Sequence, residues 1–249
     1  ELQLLALRIG AGGGYSAVEP LALATGDSSP VAQVIPRFTH GDGWTTAVTL
    51  VNTGAEPLPA AVVFRQADGT AVPLPLDSGE SAADYSDVIP PGGSRLIQTS
   101  SEGRERVDGW VEVIASRSIA ALAVLRNRRG EALETEVSVP AAQPGQRRLA
   151  MFFDNMENLS TWLGFANSDW SSDATVGLNF RDERGSSLGA GSVRVEPRTS
   201  QFVPLPVRVP TVVERRGLVE IRGYNLDLAT VGARSNANGT FVAVPLFWK

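Results

Sequence analysis

The 249-residue chain contains no cysteine, one histidine (His40) and one lysine, Lys249 at the last position, so arginine supplies the rest of its 22 basic side chains. Without thiols there is no disulfide framework, no cysteine nucleophile, no iron–sulfur cluster and no thiolate zinc site. A single imidazole cannot build a zinc site that needs two or three of them. A lysine confined to the carboxyl end excludes a Schiff-base or P-loop lysine inside the fold, and lysine–asparagine crosslinks with it. No run of eighteen apolar residues occurs, which leaves no membrane-spanning helix.

What is present points to strands. Twenty-five glycines and sixteen prolines imply many turns and few long helices. A formal charge of −5 speaks against a nucleic-acid partner, because phosphate backbones need clustered positive charge. The densest basic run, Arg126-Asn127-Arg128-Arg129, precedes Gly130 and reads as a solvated hairpin turn. The start at Glu1 suits a processed or excised form, and a removed secretory signal would fit it.

The chain also repeats itself. Phe38, Thr46 and Asn52 recur as Phe153, Thr161 and Asn167, and Phe64-Arg65 and Gly69 recur as Phe180-Arg181 and Gly185. Pro91 and Ser94 match Pro197 and Ser200, Gly109 matches Gly217, Arg126 matches Arg234, and Val139-Pro140 matches Val244-Pro245, all in one order. The change of spacing after Gly69 implies an insertion in the first half, placed between Leu76 and Val88. Within each half the apolar period is two. Strands are expected at 44–52, 60–66, 94–98, 109–115, 119–126 and 134–139, then at 161–167, 174–181, 200–205, 217–223, 228–234 and 240–247. The expected fold is all-β: two tandem immunoglobulin-like β-sandwich domains, residues 33–144 and 145–249, behind an N-terminal extension, residues 1–32.

Ile35-Pro36-Arg37-Phe38, Gly43-Trp44-Thr45-Thr46, Leu50-Val51-Asn52, Pro90-Pro91-Gly92-Gly93 and Gly109-Trp110-Val111 resemble a family of tandem immunoglobulin-like units in secreted and cell-surface bacterial proteins. The likeness runs from about residue 33 to the end and is looser in the second half, where Met156-Glu157-Asn158-Leu159 replaces the glycine–tryptophan turn. It implies a fold and secretion to the cell surface, and it transfers no catalytic residue.

Several apparent site motifs fail on context. Gly185-Ser186-Ser187-Leu188-Gly189 satisfies G-x-S-x-G, but it lies between two expected strands where a nucleophile elbow needs strand, turn and helix. Gly12, Gly14 and Ala17 satisfy G-x-G-x-x-A, yet Pro20 interrupts the helix that a dinucleotide site requires. The loops 39–43, around His40 and Asp42, and 154–158, with Asp154, Glu157 and Asn158, carry oxygen ligands for weak calcium binding but lack the ordered pattern of a calcium loop, so a polar turn is the plainer reading. The sequons at Asn158 and Asn238 carry little information. Trp44, Trp110 and Trp162 fall in strand-like runs and are expected in the core. Trp170, in Asn167-Ser168-Asp169-Trp170-Ser171-Ser172, is the candidate exposed aromatic and ligand contact. No catalytic residue, cofactor or metal site is expected.

Residues 1–32 have no counterpart in either repeat. Leu2, Leu4, Leu5, Leu7 and Ile9 form a strand-length apolar run followed by a glycine hinge, Gly10, Gly12, Gly13 and Gly14. A strand apolar on both faces must be buried or become an aggregation hazard. It can fold back on the first domain, or cross to a neighbouring copy as a donor strand, which repeated head to tail gives a filament. The expectation is a structural subunit of an extracellular filament or surface assembly with itself as partner. The alternative is an adhesive module that binds a surface glycan.

Overall fold

The computed structural model describes residues 6–9, 15–18, 30–103, 105–116, 119–130, 132–142, 148–223 and 228–248. It is an all-β chain that divides into two compact units, Glu1–Ala142 and Gln143–Lys249.

Strands β1 (Ala6–Ile9) and β2 (Tyr15–Val18) form an antiparallel hairpin with Leu7 opposite Ala17 and Ile9 opposite Tyr15. The body of the first unit consists of β3 (Pro30–His40), β4 (Trp44–Asn52), β5 (Leu58–Gln66), a short ribbon of β6 (Leu74–Pro75) and β7 (Ser81–Ala82), then β8 (Asp84–Ile89), β9 (Ser94–Gln98), β10 (Val107–Ser116), β11 (Ile119–Arg129) and β12 (Ala132–Pro140). One sheet has the order β3-β10-β5-β8 and the other β12-β11-β4-β9, with every pair antiparallel.

The second unit runs β13 (Arg148–Asp154), β14 (Ser160–Asn167), β15 (Ala174–Arg181), β16 (Ser187–Val195), β17 (Ser200–Pro204), one helical turn α1 (Leu205–Arg208), β18 (Arg216–Gly223), β19 (Leu228–Ser235), β20 (Phe241–Val244) and β21 (Phe247–Trp248). Its sheets are β16-β15-β18-β13-β21 and β17-β14-β19-β20. Replacing β3, β4, β5, β8, β9, β10, β11 and β12 by β13 to β20 in turn converts one unit's strand order into the other's. The repeat read from scattered identities is therefore a repeat of topology. The inserted residues of the first half make the β6–β7 ribbon, where the second half has a tight β15–β16 hairpin closed by Gly185 N–H to the Asp182 carbonyl.

The identical residues make the same contacts in both units, some within one sheet and some between the two. Phe38 meets Phe64 edge-on at 5.5 Å and 82°, and Phe153 meets Phe180 at the same distance and angle. Thr46 Oγ1 donates to the Thr39 carbonyl (2.7 Å) and accepts its N–H (3.1 Å); Thr161 does the same with Asp154 at 3.0 and 2.9 Å. Both threonines are fully buried, so this doubled bond satisfies groups that would otherwise carry a desolvation cost. Arg65 and Arg181 each donate to the carbonyl of the turn glycine four residues on, at 3.1 Å. In the second unit Met151, Phe153, Leu163, Phe165, Val176, Phe180, Val219 and Leu228 pack in one cluster drawn from both sheets.

Candidate functional site

With the repeated residues accounted for by the fold, the informative positions are those where one repeat departs from the other. Asn52 and Asn167 provide the frame. Asn52 Nδ2 donates to the carbonyls of Glu56 (2.7 Å) and Ile89 (2.9 Å), while its Oδ1 accepts the Gly54 N–H (2.9 Å). Asn167 Nδ2 donates to Ser172 (2.9 Å), Val195 (3.1 Å) and Glu196 (3.2 Å), and its Oδ1 accepts the Asp169 N–H (3.2 Å). Each asparagine pegs the turn after its strand to the far sheet.

On that shared frame the first repeat carries Thr53-Gly54-Ala55, and the second carries a turn one residue longer, Ser168-Asp169-Trp170-Ser171. Asp169 Oδ1 accepts the N–H groups of Ser171 and Ser172, both at 2.8 Å, which fixes the turn and lifts Trp170 into solvent at 77% exposure. The adjoining turn differs as well. Gly92 of the first repeat has φ +66°, and its counterpart Arg198 adopts the same left-handed conformation at φ +59°. For a residue with a Cβ that conformation costs about 1 kcal/mol. Arg198 is held there by its N–H to the Asp169 carbonyl (3.0 Å) and its Nη1 to the Ser168 carbonyl (3.1 Å), and its guanidinium lies over the indole of Trp170, 4.1 Å from the ring centre. Sequence reasoning found Trp170 from its loop; Arg198 was missed, although its alignment with a glycine in a turn was the available signal.

The other tryptophans separate. Trp44 and Trp110 are buried as expected. Trp162 is half-buried on the face of β14 opposite Leu163 and Phe165, stacked on Phe202 (5.1 Å, 13°), with its Nε1 donating to Ser235 Oγ (2.9 Å).

Of the expected donor-strand residues, Leu7 and Ile9 lie in β1, while Leu2, Leu4 and Leu5 and the hinge Gly10, Gly12, Gly13 and Gly14 fall outside the described residues. The G-x-S-x-G segment forms the β15–β16 turn, with the Ser186 N–H bound to Asp182 Oδ1 (2.7 Å).

His40 is buried, its Nδ1 lacks a hydrogen-bond partner, and burial lowers its pKa while a backbone hydrogen bond at Glu102 works the other way. Among the described residues no group of three or more His, Cys, Asp or Glu side chains is placed to hold a metal, at loops 39–43 and 154–158 or elsewhere. The second of these loops borders a cleft of about 640 Å³ lined also by Asp182, Arg184, Glu214, Arg215 and the Arg216–Glu183 ion pair (2.8 Å). No family model matches the sequence, and no curated protein matches it.

Proposed function

We propose that the protein is a non-enzymatic structural subunit of an extracellular surface assembly, made of two immunoglobulin-like sandwiches and joined head to tail through its N-terminal strand. The observation that carries this reading is the β1–β2 hairpin. It lies outside both repeats, and among the described residues β1 pairs on one side only. β2 runs close to β12 of the first unit, and the edge of β1 away from β2, in an apolar sequence, is left open to a partner strand. The immunoglobulin-like assignment is supported by the adjacency of β4 with β9 and of β5 with β10, which corresponds to the B–E and C–F pairs of that fold. The place of β11 beside β4 instead of β10 is a departure from it.

The test is sizing and electron microscopy of the full chain beside a chain lacking residues 1–9. Polymers that grow with concentration in the full chain and vanish in the folded truncation are expected. A full chain that stays monomeric at high concentration, with a truncation that only destabilises the first unit, defeats the proposal and favours a hairpin that folds back.

The exposure of Trp170 favours a second reading, an adhesive module that recognises a surface glycan through the turns at one end of the second unit.

A further inference from the structure

We propose that Trp170 and Arg198 form a saccharide subsite of the second repeat alone, selective for an uncharged pyranose; this rests on the adhesive reading. Two repeats with one strand order and the same asparagine peg act as a control for each other. Where the first has Gly54-Ala55 and Gly92, the second has Asp169-Trp170 and Arg198, so two adjacent turns have departed from small residues at the same place. Neither departure serves the core: Trp170 is exposed, and Arg198 occupies a backbone conformation that suits glycine better. Strain held by surrounding bonds, next to a large apolar side chain in water, is the pattern of a built recognition surface.

The geometry limits the ligand. Arg198 covers one face of the indole, so the exposed surface of Trp170 is its other face and edge. A flat indole face in water suits the C–H face of a pyranose ring, whose axial hydrogens carry partial positive charge and meet the negative face of the π-system. The Asp169 turn and the Asn167 peg fix the backbone at Trp170 and Arg198 lies over its ring, which limits the ordering needed on binding. Arg198 therefore backs the ring from the far side, and the neighbouring hydrogen-bonding group is the Ser171 hydroxyl, next in the chain, which makes only a long bond to Asp169 Oδ1 (3.4 Å). Charge decides against acidic sugars. Asp169, Asp173 and Glu196 lie in and beside these two turns, against Arg194 and Arg198, and Arg194 is already engaged by Asp173 at 2.6 Å. A uronate or sialic acid would meet a net negative rim.

The experiment presents neutral and uronate- or sialate-containing glycans at high density, so that a weak single site is amplified by multivalency, and measures binding of the full chain, Trp170→Ala and Arg198→Gly. The expected result is binding to neutral glycans that falls at least tenfold in both variants. Arg198→Gly should keep a thermal midpoint within a few degrees of the parent, since glycine relieves the left-handed strain as the stacking contact is lost. Neutral-glycan binding retained by both variants overturns the subsite and leaves the adhesive reading standing. Binding to none of the glycans removes both. Preference for the acidic glycans overturns the charge assignment.

Discussion

Asn167→Ala is expected to destabilise the second unit by about 3 kcal/mol. The buried amide makes three donor contacts, of which the Val195 carbonyl is the one that water cannot replace, since Val195 is itself 0% exposed. Leaving a buried acceptor short of a partner costs about 1 to 3 kcal/mol, and each remaining bond, to Ser172 and Glu196 nearer the surface, contributes about 0.5 to 1 kcal/mol after water competes. For a unit of this size each kcal/mol moves the thermal midpoint by about 4 °C, so a shift near 12 °C is expected. Asn167→Asp separates the amide's two roles. It keeps the oxygen that accepts the Asp169 N–H but turns a donor into a charged acceptor facing carbonyls, so it should be at least as damaging as alanine at pH 7 and recover in part as the carboxyl is protonated. Asn52→Ala should weaken the first unit similarly, and the double variant should be additive, because the two pegs share no partner. Urea unfolding followed by circular dichroism measures all four variants. A cost under about 1 kcal/mol for Asn167→Ala, or an Asn167→Asp protein as stable as the parent at pH 7, would refute the peg.

Two further outcomes follow from the same structure. Burial holds the His40 imidazole below its ordinary 6.5, so as pH falls the unfolded chain takes up the proton first; the stability of the first unit is complete above about pH 6.5 and declines below it. Urea midpoints at pH 7.5 and 5.5 should therefore differ in the parent and converge in His40→Gln, and a parent unchanged between the two values contradicts this. Gly109→Ala should cost about 3 kcal/mol or more, because its Cβ would overlap the Arg65 carbonyl oxygen and press within 2.7 Å of the Phe38 ring. A thermal midpoint lowered by less than about 4 °C would show that the sheet yields there.

Strands 44–52 and 174–181, which alternate, and 94–98, which follows the Pro90-Pro91-Gly92-Gly93 turn, appear with the expected bounds. Those missed had physical reasons. Strand β16 reads Ser-Leu-Gly-Ala-Gly-Ser-Val-Arg-Val, and its two glycines remove the side chains that carry an alternation signal. Strand β8 is a polar edge, and β3 contains Pro36. Strand order was beyond periodicity, which assigns a face to each side chain but no neighbour to each strand. Trp162 misled for a related reason: alternation places it opposite Leu163, and only the stacking of Phe202 shows that the outer face of that sheet is apolar as well. Trp170 was legible because its loop is polar. Arg198 could be aligned with Gly92 from the sequence, and its φ shows what that alignment means, an arginine in a glycine's conformation.

That pair of turns bears on how the molecule can diverge. In a single-copy domain a left-handed glycine is under purifying selection, since any replacement taxes the only scaffold there is. Two copies of one topology split the load: one half can keep a glycine turn while the other carries a costlier residue, as long as its buried asparagine and threonine ties hold. Arg198 stands in the half that carries this cost, against the exposed ring of Trp170.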